Sequence, residues 1–190
     1  LKIPGPWLLA LAFGTFSLLW VGLMVWLPTF FIEEEGYSKS LAAVLTAVVV
    51  MCEILGNVGS GWLLGRGAAR WKIIALSMAT MGVLSFVILS TPLYGAIKIV
   101  CAGLFSAVGG MIPGAALAGA PVHAPAPNLI GIVNGVVVQG ANIGNFLGPI
   151  AMGAAVAWLG GWQAAGWLPM MIGFFGVAIA LAIRQVEERR

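Results

Sequence analysis

Charge is what this chain has least of. Only 8% of its 190 residues are Asp, Glu, Lys or Arg and 61% are hydrophobic, whereas a soluble domain carries roughly 25% charged residues. That balance excludes a water-soluble globular domain. Histidine occurs once, at His123, and cysteine twice, at Cys52 and Cys101, both inside apolar runs. Such scattered groups build neither a metal cluster nor a disulfide framework, and the cysteines read as small core residues. No hydrolase triad or phosphate loop is present, and Gly59-Ser60-Gly61 is too short for a nucleophile elbow. The chain therefore reads as non-enzymatic, without a cofactor, and it has no nucleic-acid signature. A cleavable signal pattern is also missing, because the opening apolar run is long and more such runs follow. The chain opens on Leu1 rather than Met, which fits a processed product or part of a longer chain.

Six long apolar stretches fill the sequence, with the charges between them. A helix needs about 20 apolar residues to cross a bilayer, so six such helices with short turns use nearly the whole chain. The expected architecture is all-α, a single transmembrane domain over residues 1–190. Its spans are expected near residues 6–32, 39–64, 71–90, 93–118, 128–158 and 163–183. Pro6 suits a first helical turn. Glu33, Glu34, Glu35 and Gly36 end the first span, and Ser38 is placed to cap the second. Residues 121–127 hold three prolines and read as a loop. Gly160 and Gly161 turn the chain before the last span. The 27 glycines would weaken helices in water, but in lipid small residues let helix backbones pack closely.

An even number of spans puts both termini on one side. That side collects Lys2, Arg66, Arg70, Lys72, Arg184, Arg189 and Arg190, seven of the nine basic residues, against Lys39 beside three glutamates on the other. The positive-inside rule makes the basic side cytoplasmic. Trp7, Trp62, Trp71, Trp158 and Trp162 fall near span ends, where amphipathic rings favour the interface. The chain is thus expected to be an integral protein of the bacterial cytoplasmic membrane, with the lipid bilayer as its first partner.

The polar residues inside the spans carry what chemistry there is. On the fifth span, at roughly 100° per residue, Asn134, Gln139, Asn142 and Asn145 fall within about 140°. Gly140, Gly144 and Gly148 form a small-residue stripe opposite. Amides in lipid need partners. They either bond to adjacent helices or line a watery cavity and touch solute, and four on one side favour the cavity. On the second span Thr46, Glu53, Asn57 and Ser60 lie within about 60° of one another. Glu53 is the one carboxylate inside a span. Burial favours the neutral form of a carboxyl group, which makes Glu53 the proton-coupling candidate; the alternative is a glutamate neutralised by a neighbouring helix. Lys98 either snorkels outward from the fourth span or points into a cavity to attract an anion. Thr15, Gly22, Trp26 and Thr29 share a face of the first span, with Trp26 either an interface anchor or a ring that stacks on solute. Pro113 and Gly114 interrupt the fourth span as a kink or hinge. His123, alone in the proline loop, reads as solvated.

These residues resemble one half of a major facilitator superfamily transporter. The loop Gly61-Trp62-Leu63-Leu64-Gly65-Arg66-Gly67-Ala68-Ala69-Arg70-Trp71-Lys72 is similar to the family's glycine-leucine-aspartate-arginine loop signature, with Gly65 where the family has aspartate. A degenerate copy is typical of the family's second half, so the chain looks like spans seven to twelve. Gly131, Asn134 and Gly135 leading to Gly144, Asn145, Gly148 and Pro149 look like the eleventh span. Trp26-Leu27-Pro28-Thr29, followed by Gly36-Tyr37-Ser38, resembles the end of the seventh span in the cyanate/nitroimidazole-type branch. The resemblance implies a 3+3 inverted repeat, Gly61, Arg66 and Arg70 in a gating loop, and spans one, two, four and five around a central cavity. Cavity-lining candidates are then Thr15, Trp26, Asn57, Lys98, Asn134, Gln139, Asn142 and Asn145. The implied activity is secondary transport of a small-molecule solute by alternating access. Six spans offer half a cavity, so a missing N-terminal half or a second copy is the expected partner. A non-transporting membrane assembly module is the alternative.

Overall fold

The computed structural model describes residues 3–189. Lys2 and Arg190, two of the basic residues assigned to the cytoplasmic side, lie outside them. Among the described residues six helices are long and apolar enough to cross a bilayer, and there is no strand. We number them α1 (Pro4–Glu33), α2 (Lys39–Gly65), α3 (Arg70–Ser90), α4 (Gly95–His123), α5 (Pro127–Leu159) and α6 (Trp162–Glu187). The starts of α1, α3 and α5 and the ends of α2, α4 and α6 lie at one end of the bundle, here called the terminal end. The turns at residues 34–38, 91–94 and 160–161 lie at the far end.

Local chemistry sets the boundaries. The Ser38 hydroxyl accepts from the Leu41 N–H at 3.3 Å and caps α2. Gly160, at φ 83°, ends α5 in the left-handed conformation that a side chain would disfavour. The proline-rich stretch is shorter as a loop than its composition suggests. Ala120–His123 forms one more helical turn of α4 with Pro121 in its first turn, where a missing N–H leaves no bond unmade. The last helix also continues to Glu187, so its charged end is ordered helix rather than a tail.

Three of the helices are interrupted. In α2 the break falls at Cys52, between Lys39–Met51 and Glu53–Gly65. In α4 it falls at Gly110, between Gly95–Gly109 and Met111–Leu117. In α6 Gly166 separates a first turn from the rest.

Packing follows glycine. In α1 and α5, Gly14 and Gly22 lie against Gly140 and Gly148. A methyl group on Gly144 would collide with the Gly14 carbonyl oxygen, and one on Gly22 would sit 3.0 Å from the Gly148 carbonyl oxygen. In α2 and α4, Gly56 lies on the Ala107 carbonyl, Gly110 on the Glu53 carbonyl and Gly114 on Ser60. In α3 and α6, Gly82 lies on Gly173 and Gly176 on Met78. The seams are therefore α1–α5, α2–α4 and α3–α6. Exchanging α1, α2 and α3 with α4, α5 and α6 leaves that set unchanged, as a 3+3 repeat requires.

These seams bury the helices unequally. Of the residues in each apolar window, 56% are buried in α1 and 50% in α3, but only 17% in α2 and 22% in α5. Outward-facing apolar side chains on α2 include Leu55 and Val58, and on α5 Phe146 and Ile150.

The seams give a direct test. Gly144→Ala should destabilise the bundle by about 1–3 kcal/mol, the usual cost of overpacking, because its methyl group meets backbone that cannot rotate away. Gly131, with nothing within 4 Å of an added methyl, serves as the control: Gly131→Ala should leave the melting temperature in detergent unchanged or slightly raised. Equal melting temperatures for the two variants would show that the α1–α5 seam is not close-packed.

Candidate functional site

The candidate site is the crossing of the two interrupted helices α2 and α4. Glu53 is the fifteenth of the 27 residues of α2, near mid-depth, and opens its second half. At the preceding break the Cys52 N–H is shared between the carbonyls of Val48 (3.3 Å) and Val49 (3.1 Å), and the Leu55 N–H turns tightly onto the Cys52 carbonyl at 3.1 Å. Facing it is the break at Gly110, whose missing side chain lets α4 touch the Glu53 backbone. One turn on, the Asn57 amide donates to the Glu53 carbonyl at 3.3 Å. Glu53 is half-buried and Asn57 exposed. None of the ion pairs among the described residues involves Glu53. Thr46 is less available, since its hydroxyl donates back to the Ala42 carbonyl at 2.8 Å. Ser60 is fully buried against Gly114. Deeper in the wall, Trp20 Nε1 of α1 donates to Ser106 Oγ of α4 at 3.3 Å.

The amides of α5 do not act as one surface. Asn142 and Asn145 are exposed, while Asn134 is half-buried with its side-chain oxygen enclosed and unbonded. Gln139 instead lines an apolar groove of about 470 Å³ between α1, α5 and α6, together with Thr15, Trp7, Leu11, Ile143 and Phe175. The carboxylate stripe on α2 and the amides on α5 belong to helices that share no seam. They stand on separate walls with α1 between them.

Other candidate residues are held in structural contacts. Trp26 Nε1 donates to the Pro149 carbonyl at 2.8 Å, and its ring lies over Gly153 and beside Trp162. It therefore joins α1 to α5. Lys98 neither snorkels into water nor stands free in a cavity. It is 7% exposed, its Nζ is 2.6 Å from Glu35 Oε1, and it lies 5.1 Å from the Phe30 ring centre. Glu33 in turn accepts from Trp162 Nε1 at 2.8 Å. The acidic cluster thus clasps the starts of α4 and α6 to the end of α1.

A second clasp closes the terminal end. Arg70 pairs with Glu187, and its Nη2 donates to the Ala118 carbonyl at 3.1 Å. Arg66 stacks on the Trp62 ring at 3.7 Å, and Gly61 is open to its surroundings. His123, expected to be solvated, is fully buried, with Nε2 3.1 Å from Glu187 Oε1. The extra helical turn of α4 carries it inward against Gly5. Neither clasp has a local sequence signal, since Lys98 is 63 residues from Glu35 and Arg70 is 117 from Glu187.

Comparison with known proteins agrees with this architecture. No family model matches the chain. Over 160 residues it is 29% identical to the probable nitrate/nitrite transporter NarK2 of two Mycobacterium tuberculosis strains, CDC 1551 / Oshkosh and ATCC 25618 / H37Rv, a match covering 80% of this chain and 38% of each relative. Its structure is similar to a crystal structure of the peptide transporter POT, with a TM-score of 0.84 and 17% identity, over 96% of this chain and 38% of that one. The chain has the fold of a six-helix portion of that peptide transporter, and its six apolar spans make it an integral membrane protein. It spans about two fifths of the length of the curated relatives it matches, with 38% covered. Neither comparison bears on the cyanate/nitroimidazole-type branch.

The far-end clasp is testable on the chain itself. Lys98→Met leaves Glu35 without its counter-charge and should cost about 3–5 kcal/mol, the usual penalty for orphaning one member of a buried pair. The double variant Lys98→Met/Glu35→Gln should recover most of that loss. Additive losses in thermal unfolding, with no recovery, would show that the two side chains do not interact.

Proposed function

We propose that this chain is one half of a secondary active transporter that moves a small solute by alternating access, coupled to protons through Glu53. The observation that carries the reading is the pairing of an unneutralised mid-depth carboxylate with two largely uncovered helices. Exposed to acyl chains, the Glu53 carboxyl group would lack a counter-charge and Asn142 and Asn145 would lack hydrogen-bond partners, at a cost of several kcal/mol per group. A second six-helix half across α2 and α5 encloses them in a hydrated crevice and removes that cost. Interrupted helices near the midplane are the usual setting for solute and coupling-ion sites in secondary transporters. Thr15, Trp26, Lys98 and Gln139, which the sequence grouped with the cavity, then support its walls rather than touch solute.

In this reading both termini face the cytoplasm of a bacterial cell, following the basic residues at the terminal end. The gating loop Gly61, Arg66 and Arg70 lies on that side. Arg70 holds α3, α4 and α6 together there, so opening toward the cytoplasm requires its contacts with Glu187 and Ala118 to move or travel as a rigid group. The missing half is the favoured partner, given the share of the relatives that the chain covers; two copies meeting face to face would satisfy the same physical requirement.

Co-reconstitution with a complementary six-helix half tests the proposal. Solute addition should drive proton movement in vesicles holding the complete assembly and none in vesicles holding this chain as a monomer. Glu53→Gln should retain the fold and lose the coupled proton movement. Coupling unchanged in that variant removes Glu53 from the mechanism, and a folded complete assembly that moves no solute refutes the carrier.

A further inference from the structure

Two basic side chains that neither clasp uses converge on one aromatic ring at the terminal end. Lys72 Nζ lies 5.6 Å from the centre of the Trp71 ring, and Arg184 Cζ lies 4.9 Å from it. Trp71 and Lys72 stand in the first turn of α3, and Arg184 in the last turn of α6. The seam explains why they meet. Gly82 on Gly173 and Met78 on Gly176 set an antiparallel register, and the same register carried to the terminal end puts Trp71 level with Arg184. The ring is half-buried and both cations are exposed.

Two like charges beside one ring repel each other unless an anion lies with them. The neighbouring acidic residues supply little. Glu187 is held by Arg70 and His123. Glu188 accepts from Arg184 Nε at 2.7 Å and is itself exposed. Among the described residues Lys72 Nζ and the Nη1 and Nη2 atoms of Arg184 form no hydrogen bond or ion pair. Arg184 thus keeps the two nitrogens whose planar fork suits a phosphate, and Lys72 keeps all of its donors. Deeper in the membrane the same face turns apolar. Leu76 and Val83 follow Lys72 along α3, Leu181 and Phe174 precede Arg184 along α6, and all four are exposed. The face is built by α3 and α6 alone, and α3 packs against α6 and α4 rather than against α2 or α5.

We propose that the terminal end of the α3–α6 seam binds an anionic phospholipid, its headgroup phosphate lying across Trp71 between Lys72 and Arg184 and its acyl chains running down the apolar stripe below. Charge complementarity and depth both point to a lipid. Going inward along the two helices, the order is cation, amphipathic ring and apolar side chain, which is the order of phosphate, glycerol region and hydrocarbon in one leaflet. A soluble phosphate would engage the cations and leave the stripe without a role. The site stands apart from the open walls of α2 and α5, so it does not rest on the carrier reading.

The test uses the full chain in nanodiscs of mixed phosphatidylcholine and phosphatidylglycerol, with bromine on the acyl chains of one lipid at a time. Bromine quenches tryptophan fluorescence on contact, and the Trp71 signal is the difference between the chain and its Trp71→Phe variant. Brominated phosphatidylglycerol should quench Trp71 more than brominated phosphatidylcholine at equal mole fraction. Lys72→Gln and Arg184→Gln should each lower that preference, as a ratio of binding constants, by about five-fold, the loss expected for one surface cation. Lys39→Gln, which removes a positive charge at the far end, should leave it unchanged. Folding of each variant is checked by circular dichroism and by its elution as a single species. Equal quenching by the two lipids overturns the inference, as does an equal loss in Lys39→Gln or a preference that survives in the Lys72→Gln/Arg184→Gln double variant. Inorganic phosphate that displaces brominated phosphatidylglycerol from Trp71 assigns the cations to a soluble anion and overturns the lipid. Loss of the preference when a complementary six-helix half is added shows a protein partner on this face and overturns it too. The readout involves no transport, so its failure leaves the carrier reading untouched.

Discussion

Backbone contact through glycine is the constraint on which the bundle depends. Lipid tails are as apolar as leucine, so burying apolar side chains gives spanning helices little reason to associate; close packing and polar contacts must hold them. Here Gly14, Gly22, Gly140, Gly144 and Gly148 bring α1 and α5 into backbone contact along about two turns. Gly56 and Gly110 do the same for α2 and α4, and Gly82 and Gly173 for α3 and α6. Each glycine gives up side-chain packing elsewhere, so its helix has one committed face. Once α1 is committed to α5, and α4 to α2, the outer faces of α2 and α5 remain open. The uncovered wall of the half-bundle is thus a consequence of where the glycines stand.

Electrostatics divides the molecule by depth. Charges at both ends are paired across long sequence separations: Glu35 with Lys98 at the far end, Arg70 and His123 with Glu187 at the terminal end. Each clasp joins helices from both triplets, so the ends resist splaying while the middle is held only by the seams. An ion pair near the membrane–water boundary is partly hydrated and cheaper to form than one at the centre, where desolvation costs most. Among the described residues Glu53, at the centre, takes part in none of these ion pairs.

Much of this architecture was legible in the sequence because it is written in local patterns. Span length follows from apolar run length, and the Ser38 cap and the Gly160 turn follow from single residues. The stripe of Gly140, Gly144 and Gly148 pointed correctly to a packed face. What escaped was anything that depends on which helix neighbours which. The face of α1 bearing Thr15, Gly22 and Trp26 looks like a polar lining by periodicity. In the fold it meets α5, where the Trp26 N–H finds the Pro149 carbonyl and Gly22 finds Gly148. Periodicity reports that a face is distinct, not what it faces. The four amides of α5 illustrate the same limit: an arc of about 140° is wide enough for Gln139 to reach the groove beside α6 while Asn134 lies elsewhere. His123 is buried rather than solvated for a different reason. Three prolines in seven residues argue against helix only where an N–H is needed, and Pro121 occupies the one turn where it is not.

The two interrupted helices link packing to chemistry. A continuous helix satisfies its own backbone and presents side chains at fixed angles. At Cys52 the chain shares one N–H between two carbonyls and tightens the next turn, so the second half of α2 can rotate slightly against the first at small cost. Gly110 gives α4 similar freedom at the same depth, and the two breaks touch through the Glu53 carbonyl. A bend in either helix must therefore be felt by the other, and the carboxyl group between them moves with both. For the proposed carrier, rigid clasps at the ends and compliant points at the middle would let the bundle rock around a central site without unpairing its end charges. If the crossing were instead a rigid seam like α1–α5, occupancy of Glu53 would have no mechanical route to either end of the bundle.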